Sequence, residues 1–73
     1  MRAAPSPPTA ADIRAALAPA AEGNTSFTVT MREEDGAPVA LIGVYGAYDC
    51  KGTEAEVTGL LKNFTVKWQL VWN

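Results

Sequence analysis

The chain has 73 residues, 48% hydrophobic and 19% charged, with 6 Lys and Arg against 8 Asp and Glu, a net charge of −2, no histidine and one cysteine. That is one small domain, apolar enough to fold. The counts exclude an intrachain disulfide framework, a histidine-based catalytic site, a Cys/His zinc site and DNA binding through bulk positive charge, and they leave a small soluble α+β domain.

Residues 1–8 read as a flexible arm, because Pro5, Pro7 and Pro8 favour extended backbone and no apolar payload accompanies them. Residues 9–73 form the single domain. Thr9 reads as an N-cap with Asp12 three positions on, and Ile13 and Leu17 fall on one face of the helix that follows. Pro19 ends that helix near Ala18, and Gly23-Asn24 closes the segment.

Ser26 to Arg32 alternates, with Phe27, Val29 and Met31 on one side and Thr28, Thr30 and Arg32 on the other, as a half-buried strand does. Glu33-Glu34-Asp35-Gly36 is a polar hairpin turn, and Pro38 marks the start of the return. Val39 to Tyr48 is the second strand, apolar on both faces. It is either central and covered on both sides, or one face meets another chain.

Asp49 to Gly52 is a short loop, after which Thr53 and Glu56 make a second capping box. Val57, Leu60, Leu61 and Phe64 then fall at i, i+3, i+4 and i+7 of an amphipathic helix, with Asn63 suited to a left-handed C-terminal position. Thr65 to Trp72 is the third strand, carrying Val66, Trp68, Leu70 and Trp72 on one face.

The order α-β-β-α-β gives a three-stranded sheet whose first two strands form an antiparallel hairpin. Two strand orders fit: 2-1-3, wholly antiparallel, and 1-2-3, mixed. The expectation here is 2-1-3, which leaves the second strand at an edge and open to pairing with another chain. In either order both helices cover the face of Phe27, Val29, Trp68 and Leu70.

Few residues offer chemistry. Cys50 could serve a redox or enzymatic role only with a lowered thiol pKa; Lys51 is adjacent, but the chain has no histidine base and no second cysteine. Lys51-Gly52-Thr53 lacks the glycine spacing of a phosphate loop. No catalytic residue, metal site or cofactor is expected, and the chain reads as a non-enzyme. Aromatics on strands can stack nucleic-acid bases, but the acid excess opposes that partner. The single Cys50, the missing apolar leader and the absence of a membrane-length apolar run point to the cytoplasm and away from a membrane.

The expected function is therefore protein binding, through the sheet face the helices leave bare and through the acidic hairpin tip. The residues expected to meet the partner are Glu33, Glu34, Asp35, Tyr45, Tyr48, Lys67, Gln69 and Trp72. Small stand-alone domains with an acid excess occur among phage and mobile-element inhibitors, anti-CRISPR-type proteins included, and among adaptors. That comparison rests on size and charge and on no motif. The alternative is a homodimer or larger assembly built on the apolar second strand, through Val44 and Tyr48 or through Leu41 and Tyr45.

Overall fold

The computed structural model describes residues 8–73, so the expected arm lies almost wholly outside the described residues. The elements are α1 (Ala10–Leu17), β1 (Thr25–Glu34), β2 (Ala37–Gly46), α2 (Cys50–Leu61) and β3 (Lys67–Trp72), with a three-residue 3-10 turn at Ala18–Ala20. The result is a small α+β domain in α-β-β-α-β order. The Thr9 hydroxyl accepts from the Asp12 amide at 3.2 Å, while Asp12 Oδ2 accepts from the Thr9 amide at 2.9 Å. This reciprocal cap starts α1 where the sequence places it. Pro19 then tightens the chain into the 3-10 turn after Leu17.

The strand order is β1-β2-β3, with β2 antiparallel to β1 and parallel to β3. This corrects the expected 2-1-3 order. The physical reason lies in β2 itself. Ala40, Ile42 and Val44 are buried on one face and Val39 and Gly43 on the other, so the strand needs a neighbour on each side to be shielded. An edge position would have exposed it.

The hairpin is tighter than the four-residue turn expected. Asp35 and Gly36 alone form the loop, with φ of 53° and 79°, and both Glu33 and Glu34 are strand residues paired with Pro38 and Ala37. Two successive positive φ values give the turn a twist that matches the strands, which an Asp-Gly pair tolerates. The register also explains Pro38. The Ala47 amide bonds the Asn24 carbonyl at 3.1 Å, so even-numbered β1 residues turn their backbone groups toward β2. By the same alternation the Pro38 nitrogen faces the β3 side. Pairing with β3 begins only at Val39, so no ladder bond is lost.

Helix α2 starts four residues earlier than expected. Asp49, not Thr53, is its N-cap: its side chain accepts from the Gly52 amide at 3.2 Å, and Thr53 is buried inside the helix. Aspartate caps as well as threonine and is met first as the chain leaves β2. Asn63 does not take a left-handed conformation; Asp35 is the non-glycine residue with positive φ among those described. The third strand begins at Lys67 rather than Thr65.

The core joins Ile13 and Leu17 of α1, Val57 and Leu61 of α2, and Val29 and Ile42 of the sheet, with Phe27, Trp68 and Leu70 packed around them. Both helices thus serve one sheet face, the one the strand alternation selects. The other face has no helix over it among the described residues.

Candidate interaction surface

The bare face is read off the register. Thr28, Gly43 and Val71 form one row across the sheet, Thr30, Leu41 and Gln69 the next, and Arg32, Val39 and Lys67 the third. Tyr45 lies one step further along β2, opposite Ser26. A shallow depression of about 250 Å³ opens here, lined by Thr28, Thr30, Leu41, Gly43, Tyr45, Val71 and Asn73. Glycine makes its floor. A Cβ on Gly43 would come within 2.6 Å of Thr28 Oγ1 and 3.0 Å of Tyr45 Cε1, so the Tyr45 ring folds over the glycine. Tyr45 and Val71 are each 42% exposed, although both are apolar in body. The remainder of the face is hydroxyl, amide and charge: an apolar patch with a polar rim.

The eight expected contact residues separate into three groups. Tyr45, Lys67 and Gln69 share the bare face. Glu33, Glu34 and Asp35 stand at the hairpin end, where Glu34 Oε2 lies 3.4 Å from Arg32 Nε. Eight strand steps separate Glu34 from Ser26, the partner of Tyr45, so the tip lies about 27 Å from Tyr45, while Thr30 at the near end of the depression is four steps, about 14 Å, from Glu34. Tyr48 and Trp72 form the third group and turn to each other, with ring centroids 5.2 Å apart. Trp72 shares a row with Val44, on the helix-covered face. Val44 is fully buried, so it offers no surface to a second chain, whereas Leu41 and Tyr45 remain accessible in part.

Alternation along β3 puts Val71 on the face of Lys67 and Gln69, and Leu41 shares a face with Tyr45, yet neither is among the expected contact residues; the register brings the two together beside Gly43. With β2 central and parallel to β3, Val71 falls beside Gly43. Cys50 is exposed and unpaired at the first position of α2. Among the described residues, no cluster of three or more His, Cys, Asp or Glu side chains could hold a metal ion, and no helix is long and apolar enough to cross a membrane. Compared with protein-family models, with curated proteins and with solved structures, the chain matches none.

Proposed function

We propose that this chain is a non-enzymatic protein-binding domain that lays its bare sheet face on a partner protein and covers part of that partner's surface, as an inhibitor or adaptor does. The observation that carries the reading is the pairing of Tyr45 and Val71, both substantially exposed, around a depression floored by a glycine, on a face that no helix covers among the described residues. Apolar side chains held by a rigid sheet lose little entropy on binding and gain from desolvation. Lys67 makes no ion pair with the described residues and offers a charge for a partner carboxylate.

Size extends the contact beyond the depression. Three strands about 4.8 Å apart and rows about 3.4 Å long give roughly 300 Å² of flat sheet over the six β3 rows. A stable contact takes about 800 Å² from each partner. The hairpin beyond β3 is the nearest surface in line, so Arg32, Glu34 and Asp35 join the contact and favour a partner with a basic patch at that end.

The test is affinity capture from the source-cell lysate with nuclease present, comparing the wild-type chain with Tyr45→Glu/Val71→Lys. A stoichiometric partner held by the first and lost by the second, with both chains folded by circular dichroism, supports the reading. A partner held equally by both contradicts it.

A further inference from the structure

The outer edge of β1 is the other unusual feature of this sheet. β1 ends the strand order and runs unbroken for ten residues, with no proline, glycine or bulge. Its first seven residues, Thr25 to Met31, carry no charge. Soluble sheets ordinarily blunt such an edge. The opposite edge is blunted: β3 spans six residues and opens with Lys67.

The register fixes which backbone groups the β1 edge presents. Even-numbered residues bond β2, so the N–H and C=O of Phe27, Val29, Met31 and Glu33 point outward, as does the Thr25 carbonyl, while the Thr25 N–H is taken by the Glu22 carbonyl at 3.3 Å. We propose that this edge pairs with the same edge of a second copy of the chain, antiparallel about a two-fold axis at Val29, forming a six-stranded sheet.

The strand's own sequence selects that occupant and that register. With Val29 opposite Val29, Phe27 faces Met31, Thr28 faces Thr30, Ser26 faces Arg32 and Thr25 faces Glu33. The outward N–H groups of Phe27, Val29, Met31 and Glu33 of one copy then meet outward carbonyls of the other. Phe27 and Met31 are half-buried on the helix side, and the pairing would cover their remaining surface with a sulfur–aromatic contact. Thr28 and Thr30 form matched pairs on the bare face. No like charges oppose one another. Moving the axis to Thr30 sets Phe27 against Glu33. The assembly closes at two, because each remaining outer edge is β3 with its Lys67. It also joins two bare faces into one surface of twice the area. The pairing uses the backbone edge of β1 and needs no partner protein on the bare face, so self-association is measured on the chain alone.

The experiment is sedimentation equilibrium of the full chain over a concentration series, for wild type, Thr28→Lys/Thr30→Lys and Thr28→Glu/Thr30→Glu. Both positions are exposed in the single chain. In the dimer each variant sets like charges opposite each other, and the dissociation constant should rise by about 100-fold or more. An equimolar mixture of the two variants should restore a heterodimer, seen by native mass spectrometry. In wild type, the Phe27, Val29 and Met31 amides should exchange more slowly as protein concentration rises. A wild type monomeric throughout, charged variants that dimerise like wild type, or a mixture that fails to recover a heterodimer would each overturn the proposal.

Discussion

The Tyr48 and Trp72 rings stand 5.2 Å apart at an interplanar angle of 35°, and the Tyr48 hydroxyl donates a 2.7 Å hydrogen bond to the carbonyl of Asn73. Together with the 3.0 Å bond from the Asn73 amide to the Val44 carbonyl, this fastens the end of β3 to the segment that leaves β2. A pair that the sequence offers as partner contacts is thereby engaged within the fold. Tyr48→Phe should cost about 1 kcal/mol in urea denaturation, the value of one hydrogen bond with the ring contact kept. Trp72→Ala should cost more, because an aromatic pair is lost with the buried part of the indole.

Gly43 should resist substitution for a different reason. Gly43→Ala puts a methyl group against Thr28 and Tyr45 and should destabilise the domain by about 1–3 kcal/mol. Adding Thr28→Ala removes the nearer obstacle, so the double variant should lose less than the two single losses combined. Thermal melts of the four chains close the cycle.

Two other glycines should respond in opposite directions. Gly46 has φ of +94°, and a Cβ there would overlap the Asn24 carbonyl, which must stay in place to bond the Ala47 amide. Gly46→Ala should cost about 3 kcal/mol or more, by strain and the broken strand exit. Gly59 sits on the exposed side of α2 with open space beside its Cα, and Gly59→Ala should stabilise the domain by about 0.5–1 kcal/mol.

The elements were legible in the sequence because each carries a local signal: the Thr9–Asp12 box, the Phe27–Val29–Met31 alternation, and Val57, Leu61 and Phe64 on one helical face. The order of strands was not, because it depends on which neighbour β2 takes, and an apolar strand of both faces fits two arrangements on paper. In the fold β3 takes the free side of β2, pairing from Val39 to Val44, and Val39 and Gly43 are buried there. The helix start was misplaced for a local reason. Asp49 and Thr53 are both good caps, and the Thr53–Glu56 spacing imitates a box that the chain does not use. For the surface, alternation alone puts Lys67, Gln69 and Val71 on one face, while the register was needed to show that Leu41, Gly43 and Tyr45 are the β2 residues that join them.

The hairpin tip and the depression should affect partner binding through different steps. Reversing Glu33, Glu34 and Asp35 to lysine should slow association and change its salt dependence, since exposed charges steer encounter. Tyr45→Ala should act mainly by speeding dissociation, as loss of a packed aromatic does. Surface plasmon resonance on the captured partner separates the two.

The most direct measurement is the footprint of that partner on the isotopically labelled chain, read by amide chemical shifts. Binding through the bare face should perturb Thr28, Leu41, Tyr45, Gln69 and Val71, extending through Arg32 and Glu34 toward Asp35, with the outward residues of both helices unmoved. Perturbations concentrated on Ala11, Ala15, Glu54 and Thr58, with the sheet face silent, would contradict it.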